Sequence, residues 1–297
     1  MKNVDFVCGI DGGGTRTTAV CCTPDGREIA RKVFGPFNLN SIGEEAFRGI
    51  LKDIVSFLEE TGNCRALCIG AAGVNNLRMA EIVHEAFSET GICYKLVGDE
   101  VIAHTGALNG KEGIILIAGT GSICFGKNSA GKSATAGGWG HLLGDEGSGY
   151  GLGRDAIRAV SRVLDGYGEP TAIRELIAGE FGLDTPEKIV SYVYSNDKSA
   201  VAKISHLVEK AYWDKDPVAI GIVRSNAEAL VDIVMAVFSR LGLEKCDVAL
   251  LGGLMEHPTC LRDEFVRLLA ERSRDLQCIS PLNNAAQGAV MEALKMV

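Results

Sequence analysis

No run of Lys or Arg occurs in the 297 residues, where 30 basic side chains face 38 acidic ones for a net charge of −8. A basic stripe is what grips a phosphate backbone or an anionic bilayer, so nucleic acid and membrane surfaces are poor partners. Long apolar stretches are missing too. The greasiest, around Val231 to Phe238, contains Asp232 and is far too short to span a bilayer. The opening MKNVDFVCGIDGGG is interrupted by Asp5 and Asp11, so it supplies no signal-peptide core, and the mature protein is expected to start here and stay in the cytoplasm. Among ten cysteines there is no CxxC pair, which indicates a reducing compartment and free, buried thiols acting as small hydrophobes. Cys22 and Cys124 are the first to check for any other role.

What the chain does have is enough apolar residue, 46%, for a full core and a length that favours two domains. It opens with three strand-like runs joined by tight turns (residues 4–10, Thr17 to Cys22, Ile29 to Phe34). Helical spacing follows at Phe47, Ile50, Leu51, Ile54, Val55 and Leu58, then a strand at Ala66 to Ile69, a helix from about Asn76, and a strand at Cys93 to Val97. A second strand, glycine loop and strand occupy Ile114 to Phe125, which suggests two related halves. Residues Gly137 to Gly153 are dense in glycine and read as a loop, followed by a mostly helical stretch to Gly242. The α/β pattern resumes at Val248 and closes on a helix from Asn284.

Within this frame, GIDGGGTRTTAV puts Asp11 at the end of a buried strand, followed by residues nearly without side chains. Bare N–H groups at Gly13, Gly14 and Thr15 suit phosphate oxygens, and Asp11 suits Mg²⁺ held through water; the plain alternative is a hairpin turn. The loop Ala118-Gly119-Thr120-Gly121-Ser122 is its partner in the second half. Gly126 to Ser133 matches GxxxxGK[ST] letter for letter, but no helix can start after Lys132, so the segment reads as an exposed hairpin turn. Asp99, one glycine beyond the strand Cys93 to Val97, stands where a carboxylate could accept the proton of an attacking hydroxyl; it could equally cap the next helix. Asn38 and Asp145 are short groups suited to sugar hydroxyls, and Trp139 offers a flat face for a ring or a piece of core. His141 has no partner at metal-ligand spacing and is expected to support its loop.

The succession GIDGGGTRTTAV, GAAG, GDE, IAGTGS, GGWGHLLGDEGSGYGLG, LLGG and AAQGAV resembles the N-acetylglucosamine kinase group of the BadF/BadG/BcrA/BcrD ATPase family, within the actin, Hsp70 and sugar kinase superfamily. The resemblance implies an α/β fold of two actin-like (ribonuclease H-like) lobes around a nucleotide-binding cleft. It implies a first lobe of residues 1–107 to which 284–297 return, and a second of 108–283 with a helical insertion. It implies ATP and Mg²⁺ as cofactors and transfer of a phosphoryl group to a sugar or amino sugar, with Asp99 as the base. Asp11, Gly13 and Thr15 would form the first phosphate loop, Thr120 and Gly121 the second, and Gly252 with Gly253 would approach the adenosine. Asn38, Ser122, Gly138, Trp139, Gly140 and Asp145 would line the sugar pocket. A zinc cluster of the eukaryotic kind is not expected, because Ala136 stands where one of its cysteines belongs. A homodimer is the expected assembly. The same family includes ATP-driven activators of 2-hydroxyacyl-CoA dehydratases and subunits of benzoyl-CoA reductase, which need clustered cysteines at the lobe junction. Only Cys124 is close, so the kinase reading leads, with a non-catalytic sensing module third.

Overall fold

A computed structural model describes residues 4–74 and 76–297. The chain divides into two compact units, one ending at Lys111 and completed by Pro281–Val297, the other Glu112–Ser280. The first unit runs β1 (Asp5–Gly12), β2 (Thr17–Cys22), β3 (Glu28–Phe34), α1 (Leu39–Thr61), β4 (Asn63–Ala71), α2 (Leu77–Phe87), β5 (Cys93–Val97) and α3 (Asp99–Ala107). Its sheet has the order β3-β2-β1-β4-β5, with β1 antiparallel to β2 and parallel to β4. Alternate residues of a strand face opposite sides. Phe6, Cys8 and Ile10 therefore enter a core with Phe47, Leu51, Met79 and Ile82 of α1 and α2, while Val7 enters another on the opposite face.

The second unit runs β6 (Gly113–Ala118), β7 (Ser122–Lys127), β8 (Ser133–Gly137), α4 (Gly149–Leu164), α5 (Ala172–Phe181), α6 (Pro186–Ser195), α7 (Lys198–Lys203), α8 (Ser205–Trp213), α9 (Pro217–Leu241), β9 (Cys246–Leu251), α10 (Gly253–Glu256), α11 (Cys260–Arg272) and β10 (Leu276–Ile279). The order β10-β9-β6-β7-β8 is that of the first sheet read backwards. The long α9 starts at an Asp216 cap whose carboxylate accepts from Ala219 N at 2.9 Å, and stops at Gly242 in the left-handed region (φ 65°). Its buried stripe, Ile222, Val223, Leu230, Val234, Val237 and Leu241, faces the core of this unit.

The last helix, α12 (Ala285–Leu294), belongs to the first unit. Asn284 caps it in a reciprocal capping box with Gln287, as its sequence NAAQ requires. Ala286, Ala289, Val290 and Ala293 close the core that holds Val7, Ala66, Cys68 and Ile102. Its approach is so close that a Cβ at Gly9 would lie 2.2 Å from Val290 N.

Two expectations change. The glycine-rich stretch is a loop only to residue 148, because Ser148 Oγ accepts from Gly151 N at 3.0 Å and starts α4. The helical glycines serve packing: a Cβ at Gly153 would fall 2.1 Å from Val201 O. The thiols are also not uniformly buried, since Cys93 is exposed and Cys64 and Cys278 are half-buried. Where the chain mimics a P-loop it is a turn between β7 and β8, closed by Asn128 N to Lys132 O at 3.0 Å, and the Lys132 ammonium bonds the carbonyl of Arg240. Among the described residues no helix is long and apolar enough to cross a membrane.

Candidate functional site

In the first unit the relevant groups stand at the C-terminal ends of strands, where open α/β sheets gather ligands. Asp11 is in the last turn of register of β1, beside Gly70 of β4, and is half-buried. Beyond it the chain folds tightly, with Gly13 N donating to Arg16 O at 3.0 Å and Phe37 N donating to Gly13 O at 2.9 Å. Gly14 and Thr15 form the exposed tip. Among the described residues, neither of their N–H groups takes a partner within the chain. Side chains are tolerated at the tip but not at its base, where a Cβ on Gly12 would come within 2.8 Å of Phe37.

Asp99 follows β5 and is exposed as the first residue of α3. It does not cap that helix. Gly98 occupies the cap with no side-chain bond, which leaves the Asp99 carboxylate uncommitted in that respect. Asp99 acts on Asp11: burial and then the Asp99 charge push the Asp11 carboxyl above its ordinary value, with Arg16 partly opposing them. Glu100 is pushed up as well, by burial and by the neighbouring Asp99, and its carboxylate folds back against Gly98. A half-buried carboxylate beside a second carboxylate, with only partial compensation from an arginine, is the kind of oxygen donor a hard divalent cation takes. Among the described residues no group of three or more His, Cys, Asp or Glu is arranged to hold a metal ion by itself.

Asn38 is tied to the same corner, since the segment carrying it is anchored by Phe37 N to Gly13 O. Its Oδ1 caps α1 by accepting from Asn40 N at 3.1 Å, a role its sequence context did not reveal.

In the second unit, the loop after β6 is fastened to the start of α4. Gly149 N donates to Gly119 O at 2.8 Å and Tyr150 N to Thr120 O at 3.2 Å. Thr120 is exposed, and a Cβ at Gly119 would meet nothing within 4 Å, so that side of the loop is open. Asp145 lies behind it, 4% exposed and at φ 64°, with Oδ1 accepting from Ser122 N at 3.1 Å. Ser122 Oγ donates to Glu146 O at 2.7 Å. Gly252 (φ 90°) packs on Ala118, the residue before the loop, where a Cβ would come within 2.4 Å of the Ala118 carbonyl oxygen; Gly253 beside it is exposed. Gly138 and Trp139 are exposed and Gly140 half-exposed, with Trp139 at 75%, so the indole is not part of the core. His141 stacks edge-on against Tyr150 at 5.0 Å and supports the loop as expected.

One residue here was not anticipated. Asn226, 3% exposed on the apolar stripe of α9, accepts from Gly147 N at 2.8 Å and donates to Asp155 at 2.9 Å. A lone amide on an otherwise apolar face was the available signal, since buried polar groups need partners.

The BadF/BadG/BcrA/BcrD ATPase family model matches residues 8–293. The N-acetylmuramic acid/N-acetylglucosamine kinase of Clostridium acetobutylicum is 35% identical over 302 residues, covering 97% of this chain and 98% of its own. The N-acetyl-D-glucosamine kinase of Dictyostelium discoideum is 29% identical, covering 98% of each. A solved structure assigned as an N-acetylglucosamine kinase, from Chromobacterium violaceum, matches with a TM-score of 0.76 at 27% identity, over 97% of this chain and 99% of that one. A ROK family glucokinase from Streptomyces griseus, solved with glucose and AMPPNP, matches with a TM-score of 0.56 at 19% identity, over 98% and 99%. That last likeness speaks to the fold alone, which is the actin-like sugar kinase fold.

Proposed function

The chain belongs to the BadF/BadG/BcrA/BcrD ATPase family, and from that premise we propose that it phosphorylates a hydroxyl of a sugar or amino sugar, N-acetylglucosamine or glucosamine foremost, at the expense of ATP. The observation that carries this reading is Asp99: an exposed carboxylate at a strand's C-terminal end, free of helix-capping duty, close enough to Asp11 for its charge to be felt there.

In this reading Asp99 accepts the sugar hydroxyl proton as the oxygen attacks the γ-phosphorus, the bond to the bridging oxygen breaks, and ADP leaves. The open N–H groups of Gly14 and Thr15, and the loop of Gly119, Thr120 and Gly121, hold phosphate oxygens. Gly13 and Gly252 keep those loops tight, and Gly253 approaches the adenosine. Asp11 would hold Mg²⁺, which would supply charge neutralisation at the phosphates. Asn38, Ser122, Gly138, Trp139, Gly140 and Asp145 serve the sugar, Asp145 chiefly by fixing Ser122, since its own carboxylate is sealed from solvent.

A coupled assay of ADP release over N-acetylglucosamine, N-acetylmuramic acid, glucosamine, glucose and N-acetylmannosamine tests the reading. At least one of these sugars should raise turnover roughly tenfold or more above the sugar-free rate, because water is a poor acceptor in a kinase site. Equal ADP release with and without every sugar would overturn it in favour of an ATP-driven activator.

A further inference from the structure

We infer that Lys198, the first residue of α7, supplies the positive charge of the 118–122 loop and binds a nucleotide phosphate there; this rests on the kinase reading above. Asp145 places a carboxylate directly behind that loop, where a Cβ at Gly121 would lie 2.8 Å from Oδ1 and 3.0 Å from Oδ2. Oδ1 is satisfied by Ser122 N, but Oδ2 is buried and takes no hydrogen bond among the described residues. The cation facing it is Lys198, with Nζ 3.6 Å away, within ion-pair range and beyond a hydrogen bond.

A bare negative charge behind a loop that must receive a polyphosphate would repel it, and low-dielectric surroundings strengthen that repulsion. Lys198 cancels the charge. Its side chain is 40% exposed, against 4% for Asp145, so the ammonium retains donors for a ligand while it faces the carboxylate. Its backbone position is equally suited. Ala202, one turn along on the same face of α7, packs on Gly149, whose N–H holds Gly119 O, so this face of α7 lies against the loop's anchor. The lysine of the GxxxxGKS match cannot serve, because Lys132 sits in the β7–β8 turn on the Arg240 carbonyl.

The test is calorimetric titration of wild type, Lys198→Ala and Lys198→Arg with ADP, with Mg-AMPPNP and, separately, with the best sugar of the assay panel, alongside thermal melting of each. Lys198→Ala should weaken both nucleotides about tenfold or more, the range for loss of a charge-assisted contact. Sugar affinity should stay within about twofold, and Lys198→Arg should recover most of the nucleotide affinity. Unchanged nucleotide affinity in Lys198→Ala, in a wild type that phosphorylates sugar, would overturn this inference alone. Parallel loss of sugar affinity, nucleotide affinity and melting temperature would overturn it too, since Lys198 would then only brace Asp145. A wild type that binds nucleotide but phosphorylates no sugar would bring down the kinase reading and the inference together.

Discussion

The two units share one strand order but put different chemistry at their strand ends, the first at β1 and β5, the second at β6, the counterpart of β1, and at β9, the counterpart of β4. At the end of β1 and after β5 the first unit carries Asp11, Asp99 and Glu100, with Asp11 and Glu100 pushed above their ordinary values by burial first and by the Asp99 charge as well. After β6 and β9 the second carries Gly119 to Gly121 and Gly252 to Gly253, with Asp145 buried behind the first of these loops and Glu256 accepting from Gly252 N at 2.8 Å at the second. The scaffold therefore decides where groups stand, and the residue type decides whether the place offers proton acceptance or bare N–H groups. A second contrast lies in helices. The first unit needs only α1 between its third and fourth strands, whereas the second has α4 to α9 there.

That division of labour can be broken most severely at Asp99. Asp99→Asn keeps the shape and removes the proton acceptor, so kcat should fall by roughly 10²-fold or more while ADP affinity is preserved. Wild-type turnover in stopped assays would return Asp99 to a merely local role.

Next in size is Glu292, a buried polar anchor of the first unit. It is 4% exposed on α12 and accepts from Thr105 Oγ1 at 2.9 Å, Lys95 Nζ at 2.9 Å and Lys295 Nζ at 2.6 Å. Burial works against its ionisation, yet the bonds from Lys295, Lys95 and Thr105 hold it at about 2. A carboxylate held below its unfolded value of roughly 4.3 stabilises the fold above that pH, and the contribution is lost as pH falls toward about 2. Glu292→Ala should cost about 3 kcal/mol in denaturant unfolding at pH 7, and the gap from wild type should narrow in acid. A gap independent of pH would show that packing, not charge, anchors α12.

Gly252→Ala probes the second unit by its backbone. A methyl there meets the Ala118 carbonyl at 2.4 Å in a left-handed conformation, so about 2 kcal/mol should be lost. ADP affinity should fall with it, because the 118–122 loop must shift. Smallest of all, Lys132→Ala should change stability by less than about 0.5 kcal/mol and leave the KM for ATP alone, since it removes one exposed bond to a carbonyl. A large rise in that KM would make the GxxxxGKS match a phosphate site after all.

Most of the fold was legible because its signals are local. Strands at Thr17 to Cys22 and Cys93 to Val97 emerged with the expected bounds, and Asn76 and Asn284 began helices where short polar residues precede apolar periodicity. The end of the glycine-rich loop was not legible, because Gly149 and Gly153 look like loop residues until Ala202 and Val201, some fifty positions later, pack against them. Of the candidate site, the glycine loops and the carboxylates were proposed from residue type and spacing. Asn226 and Lys198 did not, because each acts through a loop far away in sequence, and pairing at that range leaves no pattern to read.

The return of α12 to the first unit has a consequence for how the molecule is made. A ribosome delivers β1 to α3 long before it delivers Ala285–Leu294, so the face of β1 around Val7 and Gly9 waits uncovered through synthesis of the whole second unit. The core on that face can therefore be completed only at the end of translation, whereas the core on the opposite face, built without α12, can form earlier. A message broken before Asn284 yields an N-terminal half with an apolar sheet face open to water, a substrate for chaperones and proteases and not a half-active enzyme.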